Sequence, residues 1–172
     1  SMTDRRIALL LTRPLAQSKG FVNIFEGVSQ PSPVHICISP LFEIIFQGPL
    51  PDMSPYRSLI FTSSNGVRAF SQLKPSSILP SFTVGKVTAE TAISVGLPAQ
   101  MLGLDVQDFT EAILSLKPET PCLHLRGDIS RSALATQLSK AGLTTDEAIV
   151  YRQRGLPLTE EAQQILLGTD PV

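Results

Sequence analysis

The sequence predicts an α/β protein built around a parallel β-sheet. Hydrophobic residues make up 42% of the 172 residues and charged residues 17%, which is typical of a folded protein with a sizeable core. Short apolar runs alternate along the chain with segments of helical periodicity. This alternation indicates a parallel sheet covered by helices on both faces. By length, the chain forms one ordinary domain or two small ones.

Each element is predicted from its periodicity and from the glycine, proline and capping residues that bound it. Residues 40–47 are extended and mixed in character, and Pro49, Pro51 and Pro55 follow them. We interpret residues 40–55 as a crossing between two structural units. Thr159 is the predicted N-cap of a last helix. The predicted strands are 6–12, 34–39, 58–62, 82–85, 121–126 and 145–152, and the predicted helices are 15–27, 65–73, 88–95, 108–116, 132–141 and 159–167.

Charge and cysteine usage exclude several classes of protein. A net charge of −1 and a pI near 6.1 argue against a general nucleic-acid or membrane-surface binder, which would need a basic face.

No apolar stretch is long enough to span a bilayer, and the first residues lack the features of a signal peptide. Cys37 and Cys122 lie in apolar runs and are interpreted as buried free thiols, with a disulfide as a minor alternative. A reducing cytoplasm is the expected compartment.

Three predicted strand-to-helix loops carry hydroxyl groups, glycines and basic side chains: residues 62–65, 85–88 and 126–130. We expect them to lie side by side, because parallel strands end at the same edge of a sheet. Free N–H groups at helix starts suit carboxylates or phosphates, and hydroxyls add donors without adding charge. Ordinary helix capping explains any one of these loops. Three at one edge favour a site for an anionic ligand.

Motifs for several other chemistries are absent. The patterns GxxxxGK[ST], GxGxxG and GxSxG do not occur. His35 and His124 alternate with apolar residues in strands, so we expect structural roles for both. Glu43 and Glu147 are expected to pair with basic residues rather than to act in catalysis. Tyr151, followed by two nearby arginines, either packs in its strand, which is the usual case, or points its hydroxyl into a cleft.

Six motifs in order resemble the uroporphyrinogen-III synthase family: LLTRP, SPLFEI, FTSSNGVRAF, VGKVTAETA, LRGDISRSALATQLSKAG and EAIVYRQ. They extend over residues 10–152. The resemblance implies two flavodoxin-like parallel-sheet lobes joined by two extended strands, the first lobe being discontinuous. The expected first lobe is residues 1–39 with 153–172, and the expected second lobe, with its linker strands, is residues 40–152.

The resemblance also implies the reaction. Enzymes of this family cyclise hydroxymethylbilane, a linear tetrapyrrole with eight carboxylates, to uroporphyrinogen III in heme biosynthesis. Water is lost and ring D is inverted through a spiro intermediate, and no metal or organic cofactor is used. Because the intermediate is intrinsically reactive, positioning would supply most of the catalysis. The small-molecule substrate is the expected partner of a monomer, with no nucleic acid and no membrane.

Matching motif to motif also implies roles for individual residues. Tyr151 matches the tyrosine that is the family's candidate acid for loss of the hydroxyl group. The matching turns imply substrate contacts, mostly to carboxylates, for Arg13, Ser63, Asn65, Thr88, Arg126 and Gly127. For Arg126 and Gly127, contact with the ligand and shaping of the loop are both open.

The sequence departs from the family pattern near its end. The family has a second FTS-like strand and a second VGxxTA-like turn, whereas this sequence ends at Val172, where that strand is expected. The first lobe is therefore expected to be incomplete. Two strands and two helices bury too little apolar surface for a stable unit, so we expect either a truncated or partly ordered product, or a first lobe that packs against another chain. Two functions follow: a synthase or part of one, and a non-catalytic tetrapyrrole-binding or regulatory module on the same scaffold. A generic phosphate or nucleotide binder is a weaker third.

Overall fold

The structure, a computed structural model, describes residues 7–12, 34–38, 40–130 and 132–168. The predicted helix at 15–27 and the candidate residue Arg13 lie outside these residues. The described part is a mixed α/β protein, as predicted. Its strands are β1 (Ile7–Leu11), β2 (Val34–Ile38), β3 (Phe42–Phe46), β4 (Ser58–Phe61), β5 (Ser81–Val84), β6 (Ala99–Gly103), β7 (Cys122–Gly127) and β8 (Thr145–Gly155). Its helices are α1 (Ser64–Gln72), α2 (Lys86–Ser94), α3 (Val106–Leu116), α4 (Leu134–Lys140) and α5 (Glu160–Leu167).

The chain divides into two compact units, Ser1–Ile44 with Gln153–Val172, and Ile45–Arg152. In the first unit, β1 and β2 form a parallel pair in which Ile7 lies opposite Val34. Helix α5 of the same unit buries Ala162 and Ile165, against which Leu10 and Leu158 pack. Thr159 caps α5, because its side chain accepts a hydrogen bond from the Ala162 N–H at 3.2 Å. The predicted N-cap is confirmed.

The strands of the second unit belong to a six-stranded sheet with the order β3-β8-β7-β4-β5-β6. The pairs β8–β7, β7–β4, β4–β5 and β5–β6 are all parallel. Strand β4 lies between β7 and β5, and every residue of its run SLIF is buried. A strand buried on both faces has no polar face, which explains why this run is continuously apolar after its first residue rather than alternating.

Helices on the sheet complete the core of this unit. The Phe61 and Phe70 rings meet edge to face, with centroids 5.7 Å apart. Glycines with positive φ follow α2 and α4, at Gly96 and Gly142, where the sequence predicted that these helices end. One apolar cluster contains Ile60, Phe82, Val84, Phe109, Ile113, Cys122, Leu134, Leu138 and Leu143.

Strand β6 is the element that the sequence analysis missed. Its residues Ala99–Gly103 pair with β5 at the end of the sheet order, and Gln100 and Met101 are exposed. An edge strand without β-branched residues gives little periodic signal, and pairing with β5 decides its conformation. Helix α3 also starts earlier than predicted, because Asp105 caps it by accepting the Asp108 N–H at 2.8 Å.

The remaining structural expectations concern the cysteines and charged residues. Cys122 is free and buried, as predicted, and burial raises the pKa of its thiol. The side chain of Cys37 lies outside the described residues. In the ranges that the structure describes, no helix is long and apolar enough to cross a membrane. Within the same ranges, no three or more His, Cys, Asp and Glu side chains are grouped to hold a metal ion.

Candidate functional site

The three loops singled out in the sequence lie next to one another. Strands β7, β4 and β5 are consecutive in the sheet and parallel, so their carboxyl ends share one edge. Residues 126–130 follow β7, residues 62–65 follow β4 and residues 85–88 follow β5. The predicted adjacency is therefore confirmed. We call this loop-bearing edge the carboxyl edge of the second unit.

Ser63 and Tyr151 meet at the carboxyl edge. Ser63 is the N-cap of α1, and its hydroxyl accepts the Gly66 N–H at 3.2 Å. The same hydroxyl lies 3.0 Å from the Tyr151 hydroxyl, and either group can be the donor. Tyr151 is buried, with 7% of its surface exposed, so the ring is packed and its hydroxyl is hydrogen-bonded. The two residues, assigned separately from the sequence, thus form one hydrogen-bonded pair.

Gly127 provides the surface on which the Tyr151 ring packs. The pairing of β7 with β8 shifts here, because Arg126 lies opposite Ile149 but Gly127 lies opposite Tyr151. A Cβ on Gly127 would lie 2.5 Å from Cε2 and Cζ of the tyrosine ring. The Asp128 N–H also donates to the Tyr151 carbonyl at 3.0 Å. Only glycine leaves room for the ring, so the structure supports a loop-shaping role for Gly127.

Arg126 is held by an acid on the neighbouring strand. Its Nε and Nη2 donate to the two Glu147 carboxylate oxygens at 2.9 and 3.0 Å, and its Nη1 donates to the Gly127 carbonyl at 2.7 Å. Hydrogen bonding to Arg126 lowers the pKa of Glu147 below its ordinary value. The expected pairing of Glu147 is confirmed, as is that of Glu43, which pairs with Arg154. All three nitrogens of the Arg126 guanidinium therefore donate to oxygens within the protein.

Helix α2 starts without a side-chain cap. Gly85 is its N-cap residue, with φ of +81°, and no side chain among the residues that the structure describes caps the first N–H groups of the helix. No acidic residue lies in the first turn, and Lys86 follows Gly85 directly. Thr88 lies in the same turn and is buried. Uncapped N–H groups carry partial positive charge, so this turn is suited to a carboxylate.

Asn65 lies in the first turn of α1, where its side chain has a partner that the sequence analysis overlooked. The Arg68 Nη1 donates to the Asn65 side-chain oxygen at 3.3 Å and to the Ser64 hydroxyl at 3.4 Å. The spacing of three and four residues on one helix could have revealed this contact. Asn65 thus lies at the predicted edge, beside a cation on its own helix.

His124 and Thr62 form a second contact missed in the sequence. His124 Nε2 lies 3.1 Å from the Thr62 hydroxyl, and His124 has 2% of its surface exposed. Burial, followed by the positive charge of Arg126, lowers the pKa of His124 to about 4, whereas Glu147 acts in the opposite direction. The imidazole is therefore neutral at pH 7. The expected structural role of His124 agrees with its burial, but no local sequence signal points to Thr62.

Solved structures of two bacterial proteins resemble this chain. One is the crystal structure of uroporphyrinogen-III synthetase from Helicobacter pylori, with a TM-score of 0.61 and 24% identity over 82% of this chain and 65% of that one. The other is a mutant uroporphyrinogen III synthase from Thermus thermophilus, with a TM-score of 0.54 and 16% identity over 88% of this chain and 64% of that one. These likenesses support the α/β fold, and the chain spans less than two thirds of either protein's length. Comparison with curated proteins finds no match.

A match to the sequence model of a protein family shows the family of this chain. The model described as uroporphyrinogen-III synthase HemD matches residues 33–169. This range includes all of the second unit, the loops of the carboxyl edge and Tyr151. It also includes five of the six motifs that carried the resemblance. The chain therefore belongs to the uroporphyrinogen-III synthase family.

Proposed function

We propose that this chain acts in the cyclisation of hydroxymethylbilane to uroporphyrinogen III, with loss of water and inversion of ring D. The observation that carries the proposal is the family match over residues 33–169. The hydrogen-bonded pair of Ser63 and Tyr151 at the carboxyl edge supports it. The motif resemblance implies a substrate contact for Ser63 and the role of acid for Tyr151. The substrate would be the small-molecule partner of this edge.

Substrate carboxylates would bind at the helix starts of the carboxyl edge. The uncapped first turn of α2, at residues 85–88, offers backbone N–H groups with partial positive charge. Hydroxyl groups of Ser63 and Thr88 and the amide of Asn65 would add neutral donors. Arg13 is retained as a proposed contact from its motif. Several fixed donors acting on several carboxylates would hold the flexible tetrapyrrole in one conformation, which is the main requirement of the reaction.

Tyr151 would act as the acid for loss of the hydroxyl group. The C–O bond of the hydroxymethyl group breaks, and the oxygen takes a proton from the Tyr151 hydroxyl and leaves as water. The attached pyrrole donates electrons to the methylene carbon as its bond to oxygen breaks. Ser63, 3.0 Å away, would orient the tyrosine hydroxyl and hydrogen-bond its deprotonated form. Gly127 would act by seating the ring rather than by touching the substrate.

The finer architecture also belongs to this proposal. The boundaries between the two compact units fall at Ile44/Ile45 and at Arg152/Gln153, which lie inside β3 and β8. This position supports two lobes of flavodoxin-like type connected by two extended strands. A discontinuous first lobe would then comprise residues 1–39 and 153–172, and the second lobe residues 40–152. Action as a cytoplasmic monomer stays a prediction.

A coupled isomer assay tests the proposed activity. Hydroxymethylbilane is generated in place from porphobilinogen, the chain is added, and the oxidised products are separated by chromatography. The proposal expects uroporphyrinogen III above the type I isomer that forms spontaneously. Type I alone, at the level of the reaction without the chain, overturns the proposed activity.

A second candidate is a tetrapyrrole-binding module without catalysis on the same scaffold. It is favoured by one observation, namely that the chain spans only 65% and 64% of the two solved synthases. Equilibrium dialysis against uroporphyrinogen III, kept reduced, separates the candidates. Binding together with type I product alone would support the module, whereas formation of the type III isomer would exclude it.

A further inference from the structure

We propose that His124 is a positioning residue for the carboxyl edge: its imidazole holds the Thr62 hydroxyl so that this hydroxyl donates to a carboxylate of the ligand. Thr62 would then be a further binding residue, and His124 would act only through it. The inference rests on the proposed function for the class of ligand, a polycarboxylate tetrapyrrole. The hydrogen bond itself is independent of that function.

The sheet brings the two residues together. In the pairing of β4 with β7, Ile60 lies opposite His124, and Thr62 follows the last residue of β4. Thr62 therefore stands where the strand ends and the loop of the carboxyl edge begins. His124 is buried in β7 and reaches the Thr62 hydroxyl with Nε2 at 3.1 Å. Ser63, the next residue, contacts Tyr151 in β8, which lies on the other side of β7. Two successive hydroxyls of one loop are thus each held by a ring from another strand.

The surroundings of His124 indicate which ring nitrogen carries the proton. Nδ1 is buried and has no hydrogen-bond partner among the residues that the structure describes. A buried N–H group without an acceptor is less favourable than a ring lone pair without a donor. The neutral imidazole therefore carries its proton on Nε2, and that N–H donates to the Thr62 oxygen. Arg126 and Glu147 are the charged groups that act on this ring, and the ring stays neutral between them.

The direction of this hydrogen bond determines what Thr62 can do. A hydroxyl group has one proton to donate, and the oxygen here accepts the imidazole N–H. The Thr62 proton is thus left for another acceptor, and the side chain is partly exposed at an edge rich in donors. A ligand carboxylate is such an acceptor, and a hydroxyl already oriented by His124 loses less rotational freedom on binding.

A double-mutant cycle on the full chain tests the inference. Thr62→Val removes the hydroxyl at nearly constant volume, and His124→Phe fills the site without an N–H donor. The affinity for reduced uroporphyrinogen III should fall about tenfold in Thr62→Val and about three- to tenfold in His124→Phe. His124→Phe should add nothing in the Thr62→Val background, because His124 acts through that hydroxyl. His124→Gln, which retains a donor, should restore affinity to within about twofold of the unsubstituted chain.

Controls separate positioning from a general structural effect. Thr110→Val removes a partly buried hydroxyl that bonds to the Val106 carbonyl in α3, so it should leave affinity unchanged. Additive losses in the double variant overturn the inference, as does lowered thermal stability with unchanged affinity in both single variants. Nitrogen NMR of the unsubstituted chain shows which ring nitrogen of His124 carries the proton, without any substitution. A protonated Nδ1 at pH 7 would also overturn the inference.

The outcomes for the two proposals differ. A non-additive cycle in a chain that binds but forms only type I product would retain the positioning role and overturn the enzyme activity. Type III product with an additive cycle would retain the activity and overturn the positioning role. Failure of the unsubstituted chain to bind uroporphyrinogen III would overturn the positioning role, whereas the activity would be overturned by type I product alone.

Discussion

Replacing Gly127 with alanine would place a methyl group where the Tyr151 ring now lies. The added Cβ would be 2.5 Å from two ring carbons and 2.9 Å from the hydroxyl oxygen, whereas ordinary contacts begin at 3.4 Å. The ring would have to retreat by roughly 1 Å, since the Cβ position is fixed by the strand. This movement would also disturb the 3.0 Å contact with Ser63.

The expected cost follows from these distances. Overpacking of this kind destabilises a protein by about 1–3 kcal/mol, which at roughly 3 °C per kcal/mol lowers Tm by about 3–9 °C for a chain of this length. If Tyr151 supplies the proton, a displacement of about 1 Å would also reduce turnover about 100-fold. Thermal unfolding followed by circular dichroism measures the first effect. Single-turnover formation of the type III isomer measures the second.

The chain offers a matched control in Gly155, where an added Cβ meets nothing within 4 Å. Gly155→Ala should change stability by less than about 0.5 kcal/mol. In a Tyr151→Leu background, which lacks the ring, Gly127→Ala should cost far less than in the unsubstituted chain. The reasoning would be refuted if Gly127→Ala melted within about 1 °C of Gly155→Ala, because the ring would then not limit the space.

Three further predictions follow from the site. Tyr151→Phe removes the hydroxyl next to Ser63 and should lower turnover by about 10²- to 10⁴-fold in a single-turnover assay. Product affinity, measured by dialysis, should stay within about threefold. Unchanged turnover would contradict the acid role. His124 has a folded pKa of about 4 against an ordinary 6.5, so the unfolded chain binds a proton that the folded protein does not. Stability should therefore fall by ~3 kcal/mol as pH drops from 6.5 to 4, and urea unfolding of His124→Phe should lack this component. Glu147→Gln should lower the free energy of unfolding by about 0.5–1 kcal/mol, because the partly exposed ion pair with Arg126 is lost. The decrease should be smaller in 1 M salt, which screens the pair. A decrease that does not depend on salt would argue against this origin.

Several features could be predicted from the sequence because their causes are local. Thr159 was identifiable as a cap, since a threonine before two acids and an apolar helical face specifies a helix start. Gly96 and Gly142 marked helix ends for a similarly local reason, the positive φ that follows a last turn. Strand β6 was not predictable, because its residues Ala99–Gly103 become a strand only by pairing with β5.

The sequence by itself determined the α/β class, the family, and which loops would meet at the carboxyl edge. Apolar periodicity predicts the class, and the rule that parallel strands end together predicts that the loops meet. The family is indicated by the resemblance of six ordered motifs. Tertiary structure alone decided the partners within the edge: Thr62 with His124, 62 residues apart, and Ser63 with Tyr151, 88 residues apart. Both pairs depend on strand order, and the pair of Ser63 with Tyr151 lies beside a register shift at Gly127. Strand order and register result from packing across the sheet rather than from neighbours along the chain.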